Sequence, residues 1–299
     1  MSAMARGGGP PRGQEPRQSN YAFLPQTGQA VPAPREDLRH DRLSRGRITG
    51  SLELDLVAVD PIHVGSGAPV SLDGAIARAA VMTLRDDVLV PVVPGSSIKG
   101  AVRSLCEALL GGGAPDEPNV DRTLAGSLFG YVTRDEHFQG RIAFDDALPV
   151  SDDPVTGTVR LPTPYQPRKA GRTRKIYGPP RGPQPKEVPF EVLASREVLR
   201  TNLRFVNVTE SELGTVLLAM GLDGSFYLRL GGGKHAGLGR VRFEPVSAVL
   251  RRGYAAPTGE RLDAASAKTF VARCLEKPVL ADKAQGVIDT LRQVLGRSA

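Results

Sequence analysis

Hydrophobic and polar positions first fall into register in "RITGSLELDLVAVDPIHVGSG", residues 47–67. Ile48, Leu52, Leu54, Leu56 and Ala58 occupy one phase of a period-two alternation, and Thr49, Ser51, Glu53 and Asp55 the other. Successive side chains of an extended chain point to opposite faces, so this pattern predicts a half-buried strand. A Pro-His-Gly-rich turn ends it, and a loop to about Ala80 follows. "AVMTLRDDVLVPVV" reads as a hairpin, and the apolar spacing after Pro94-Gly95 predicts a helix over 96–110. "LFGYVTRDEHFQGRIAFDDALP" predicts more strand and turn, with Gly140 ahead of the strand "RIAFDDA".

The second half repeats the theme. "RTNLRFVNV" predicts a strand ending at Thr209, and "TESE" fits a capping box, with Thr209 as N-cap and Glu212 three residues on, ahead of the helix "LGTVLLAM". The strand "SFYLRL", the loop "GGGKHAGLG" and the strand "RVRFEPVSAVL" come next, and residues 262–297 carry an amphipathic helical pattern. Strands and helices in this order predict an α+β fold, a sheet with helices packed on one face in a split βαβ arrangement.

Composition changes the picture at two places. Residues 1–47 are rich in Gly, Pro, Gln and Arg and predict a flexible basic arm, except that "NYAFLP" (20–25) has the makings of a short extended anchor. Residues 154–186 hold eight Lys or Arg, eight Pro and no acidic residue, which predicts an inserted loop, hairpin or linker. The division expected is therefore an arm over 1–47, a domain over 48–250 with the 154–186 insertion, and a helical extension over 251–299. The net charge of +7 and pI of about 9.6 favour polyanionic partners. No run approaches the ~18 apolar residues that a membrane helix needs, so no membrane partner is expected and the chain reads as soluble and cytoplasmic. The two cysteines, Cys106 and Cys274, stand in apolar stretches with no metal-ligand spacing, which fits buried thiols in a reducing compartment and no structural metal.

Three stretches could carry chemistry. In "PGSSIKGAVRSL", Ser96 and Ser97 start a helix whose free N–H groups and dipole attract anions, and Lys99 and Arg103 share one face. An ordinary capped helix with two solvated cations fits the same residues. In "LGGGKHAGLGR", Gly231, Gly232, Gly233 and Gly237 let backbone approach a ligand closely, with Lys234, His235 and Arg240 as donors around them. The spacing matches neither a Walker A loop nor a dinucleotide fingerprint, and a flexible hairpin loop also fits, but this density of glycine around a cation favours ligand binding. His63 in "DPIHVGSG" has no carboxylate or nucleophile visibly paired to it, so it is a packing residue as readily as an acid–base group.

Taken together, "HVGSG", "VPGSSIKGAVRSL" and "LGGGKHAGLGRV" occur in the order seen in the RAMP superfamily of CRISPR-associated RNA-binding subunits. "SLFGYVTRDEHFQGRIAFDDA" resembles a further stretch of that family. The chain looks like a backbone-type subunit of a type III effector complex, with the likeness covering about 50–245. This resemblance implies a ferredoxin-like, RRM-related RAMP fold with inserted loops. It implies that Ser96, Ser97, Lys99, Arg103 and the loop from Gly231 to Arg240 contact guide-RNA backbone, with target RNA and other effector subunits as partners. The 154–186 insertion would lie along RNA or a neighbour. With only Tyr165 and Tyr177 in that insertion, base stacking is expected to be sparse.

One departure bears on activity. Target-cleaving members carry an aspartate in a run resembling Gly-Ala-Ile-Asp, and here the run is "DGAIARAAV", which puts Ala77 at that position. The reading is therefore RNA binding without cleavage and without a cofactor. Two alternatives stay open: an endoribonuclease using Asp73 with His63 and a Mg or Mn ion, and an assembly subunit that binds no RNA.

Overall fold

The structure, a computed structural model, describes residues 20–36, 38, 40–72, 74–111, 120–162, 174–180, 188–252 and 259–296. The fold is mixed α+β with antiparallel sheets. At its centre the strand Ile48–Ala58 buries the five apolar positions of the alternation and pairs on one side with Val198–Val208 and on the other with Arg240–Arg252, both antiparallel. Val198–Val208 carries Ile142–Phe144 on its far side, and Arg240–Arg252 carries Leu228–Arg229 and Glu260–Leu262. Helices α1 (Gly95–Leu110), α2 (Leu124–Phe129), α3 (Glu210–Ala219), α4 (Ala264–Leu275) and α5 (Ala284–Leu295) complete the main core. Within it α1 lies against α3 and α5, and α4 against α3 and the Arg240–Arg252 strand. The capping box forms as the spacing predicts: Thr209 Oγ1 accepts from the Glu212 N–H and Glu212 Oε2 from the Thr209 N–H.

A second sheet takes up residues expected to be irregular. Gly65–Leu72 and Ala75–Ala80 form a hairpin, not a loop, and Ala75–Ala80 continues through Val188–Leu193 to Thr156–Leu161. Small residues hide the alternation here: Ala77 and Ala80 are buried where larger side chains would have announced a strand. Leu161, Phe190, Val192 and Leu238 make a small separate core beneath this sheet, and Leu238 belongs to the glycine-rich loop. The 154–186 segment is thus strand at its start and again at Lys175–Tyr177, while 163–173 and 181–187 lie outside the described residues.

The expected arm over 1–47 differs most. Residues 1–19 lie outside the described residues, but from Asn20 onward the segment is packed. Tyr21–Phe23 pairs with Lys175–Tyr177, Leu24 enters the main core, the Thr27 hydroxyl donates to the Ala108 carbonyl, and the Val31 N–H donates to the Leu110 carbonyl. Arg47 ends the segment inside a buried ion network. Its guanidinium meets Glu212 at 2.8 Å and Glu36 at 2.9 Å, and Arg141, 1% exposed, donates to Glu212 at 3.1 Å and to the Asn207 carbonyl at 2.7 Å. Apolar periodicity is blind to such anchoring, which rests on single buried side chains spread over many residues. Among the described residues no helix is long and apolar enough to cross a membrane. Cys106 and Cys274 are buried free thiols, and burial pushes Cys274 up to about 12.

Candidate nucleic-acid interface

Backbone hydrogen bonds bring the separated motifs together. The Gly232 N–H donates to the His63 carbonyl at 2.7 Å, Val81 to the Val64 carbonyl at 2.8 Å, and Val92 to the Val81 carbonyl at 3.1 Å. Val93 and Ala147 exchange bonds of 3.1 and 2.9 Å, and the Gly95 N–H donates to Asp146 Oδ1 at 2.7 Å. One continuous ladder therefore runs from the glycine-rich loop through the His63 turn to the start of α1 and the "FDDA" segment. Residues as far apart in sequence as 63, 95 and 232 share a rim.

Close approach explains the glycines at two points on this rim. A Cβ at Gly231, whose φ is +72°, would lie 2.1 Å from the His63 carbonyl oxygen, and a Cβ at Gly95 would lie 2.1 Å from the Phe144 carbonyl oxygen. Both glycines serve backbone-to-backbone packing. Gly233 and Gly237 flank a single turn of 3-10 helix, Lys234–Ala236, with left-handed φ of 69° and 98°.

His63 is the post on which the loop rests. It is buried, its Nδ1 lies 2.7 Å from the Glu191 carbonyl oxygen, and its ring packs edge-on against Phe190 at 4.9 Å. This is the packing role left open in the sequence; no carboxylate pairs with the ring among its described contacts. Beneath the loop, Arg229 is 5% exposed and donates to the carbonyls of Leu238 at 2.8 Å and Lys234 at 3.3 Å, while its Nε and Nη2 are buried without a described partner. Burial pushes its pKa down to about 10, against the pull of Asp60.

The predicted cations divide into two kinds. Arg240 forms a bidentate pair with Asp60 at 2.7 and 2.9 Å, and Arg103 donates to Glu107 at 2.7 Å and to the Gly130 carbonyl at 3.1 Å. Both guanidiniums have internal work. Lys99 and Lys234 are both half-buried, and their ammoniums have no hydrogen-bond or ion-pair partner among the described residues. Burial and then the neighbouring charge of Arg103 lower the Lys99 pKa, and burial and then Arg229 lower that of Lys234. An approaching anion reverses both effects. Ser96 is exposed and Ser97 half-buried, but neither caps the helix: Pro94 is the N-cap, and the Asp146 carboxylate takes the Gly95 N–H, so part of the anion-attracting helix start is already filled. His235 faces Pro162 and Tyr177.

Ala77 lies in the Ala75–Ala80 strand at 2% exposure, and its neighbour Arg78 sits over the Phe190 ring. Asp73 lies outside the described residues. Among the described residues, no three His, Cys, Asp or Glu side chains gather as a metal site would need. The partners to which sequence reasoning gave no role, Asp60, Glu107, Asp146 and Arg229, are single charged residues: Glu107 reaches Arg103 along one helix, and the others reach their partners only through the folded chain. Asp60, at the head of "DPIHVGSG", and Asp146, inside "FDDA", lay in stretches already singled out.

The profile of the RAMP superfamily matches residues 55–242 of this chain. The CRISPR system Cms endoribonuclease Csm3 of Streptococcus thermophilus is 31% identical over 89 residues, a match that takes in 29% of this chain and 39% of that relative.

Proposed function

The chain belongs to the RAMP superfamily, and from that premise we propose that it is an RNA-binding subunit of a type III CRISPR effector complex. In this reading it holds guide RNA by its phosphates beside other effector subunits and does not cut the target. The observation that carries it is the state of Lys99 and Lys234: two ammoniums on the motif rim without a partner among the described residues, each disfavoured by burial and by an adjacent arginine. Phosphate oxygens satisfy such groups without reading bases, so the binding is largely independent of sequence and steeply salt-dependent. The fold reading is a ferredoxin-like core. Supporting it, the four strands lie across an antiparallel sheet in the order Arg240–Arg252, Ile48–Ala58, Val198–Val208, Ile142–Phe144, which by chain order is fourth, first, third, second.

The relative with 31% identity bears the name of an endoribonuclease. Against cutting by this chain stands Ala77, a buried alanine at the position where the family resemblance expects the cutting aspartate. A methyl group neither binds a metal nor moves a proton. Photo-crosslinking of the full chain to single-stranded RNA, followed by peptide mass spectrometry, tests the reading: adducts are expected on the peptides containing Lys99 and Lys234. Adducts confined to surfaces away from both would refute it.

A further inference from the structure

The N-terminal segment builds a face that sequence alone kept apart. Tyr21–Phe23 and Lys175–Tyr177 form a two-stranded antiparallel ribbon in the register Tyr21 with Tyr177, Ala22 with Ile176 and Phe23 with Lys175. Alternation along each strand sends Ala22 and Ile176 inward, where they pack with the core near α5, and leaves Tyr21, Phe23, Lys175 and Tyr177 together on the outer face. That face is open to solvent: Phe23 is 42% exposed and Lys175 is exposed. The Lys175 ammonium sits 3.7 Å from the Tyr21 ring centre and 4.7 Å from that of Tyr177. Tyr21 also meets Phe23 edge-on at 5.6 Å.

The ribbon is continuous with the glycine-rich loop. Asn20 Nδ2 donates to the His235 carbonyl at 2.6 Å, and the Tyr177 ring lies 6.4 Å from the His235 ring. We propose that this outer face is a base-stacking platform for single-stranded RNA, with a nucleobase on the exposed Phe23 ring and the adjoining phosphate on Lys175, which the Tyr21 and Tyr177 rings hold in place. Aromatic rings alternating along a strand beside a fixed cation are the chemistry that takes an unpaired nucleotide, because every base has a π face and every link a negative charge. The net charge of +7 supplies the complementary field. The platform adds stacking to a surface otherwise limited to phosphate contacts. It rests on the RNA-binding reading above.

The chain has no tryptophan, so Phe23→Trp places a single reporter on the ribbon. The test titrates wild type, Phe23→Leu, Phe23→Trp and Lys175→Ala with a single-stranded RNA and with an abasic ribose-phosphate backbone of the same length. Phe23→Leu keeps the apolar bulk and removes the π face. Its RNA affinity is expected to fall about tenfold with an unchanged salt slope, and its affinity for the abasic backbone to stay the same. Phe23→Trp emission is expected to be quenched by RNA and not by the abasic strand. Lys175→Ala is expected to flatten the salt slope by about 0.7. If wild type binds RNA while Phe23→Leu binds it equally well and the reporter does not respond, the platform is refuted and the phosphate-holding function stands. If Phe23→Leu instead loses only association with a protein subunit, the face is a peptide contact and the proposal fails. If wild type binds neither strand, both readings fall together.

Discussion

Removing Lys99 and Lys234 together separates cations free to bind RNA from cations committed inside the protein. Among the described residues each lysine's ammonium is unpaired, whereas Arg103 and Arg240 are held by Glu107 and Asp60. A phosphate neutralised on a single strand contributes about 0.7 to the slope of log K against log salt, so the double alanine variant should be shallower by about 1.4. Between about 50 and 200 mM salt, wild type should then lose about sevenfold more affinity than the variant. The loss should be the same for RNAs of unrelated sequence. Arg103→Ala and Arg240→Ala should leave the slope in place and lower stability instead, by about 1–2 kcal/mol for the partly buried Arg240–Asp60 pair. The assay is fluorescence anisotropy on labelled RNA at four or more salt concentrations, with denaturant melts run in parallel. An unchanged slope in the lysine variant, or a slope that falls in the arginine variants, would refute the division.

Three further outcomes follow from particular contacts. Glu212→Gln leaves the buried Arg47 and Arg141 without their shared carboxylate, and should cost about 3–5 kcal/mol in urea unfolding with little response to salt; a loss under about 1 kcal/mol would show that the network is not what ties the N-terminal segment down. Gly95→Ala drives a methyl onto the Phe144 carbonyl and should cost about 2–3 kcal/mol, read as a lower denaturant midpoint; an unchanged midpoint would contradict the close approach. Because Lys99 and Lys234 lie below the ordinary lysine value, RNA binding should take up protons and weaken as pH rises through the range just below that value, measurable by calorimetry in buffers of different ionisation enthalpy. Folding carries the opposite sign: the unfolded chain holds these two protons more tightly, so their contribution makes stability rise with pH between the folded-state values and the ordinary one. A flat RNA affinity across that range would remove both ammoniums from the interface.

The long strands and helices were legible because their burial is periodic. Ile48–Ala58 buries the positions its alternation names, and the Thr209 capping box forms as spelled. The Gly65–Leu72 and Ala75–Ala80 hairpin was not, since its buried positions are alanines and its turns are glycine-rich. The extended anchor read from "NYAFLP" forms as the Tyr21–Phe23 strand with Leu24 buried, whereas the packed course onward to Arg47 was missed because Thr27 and Arg47 each hold it alone, so no window of sequence shows a pattern. At the candidate interface the motifs were legible as motifs, and the ladder through His63, Val81 and Val92 gives them a common place. Which cations stay free was not legible, because Asp60 and Glu107 reach their arginines only through the folded register and the helix spacing.

The central claim is that the chain holds RNA by its phosphates and leaves it whole. The most direct measurement incubates the purified full chain with labelled single-stranded RNA of about forty nucleotides and magnesium, and runs each sample on native and denaturing gels across a salt series. A shifted band that weakens steeply with salt, and a full-length RNA on the denaturing gel, are expected. Discrete cuts abolished by Asp73→Ala, or no shift at low salt, would contradict it.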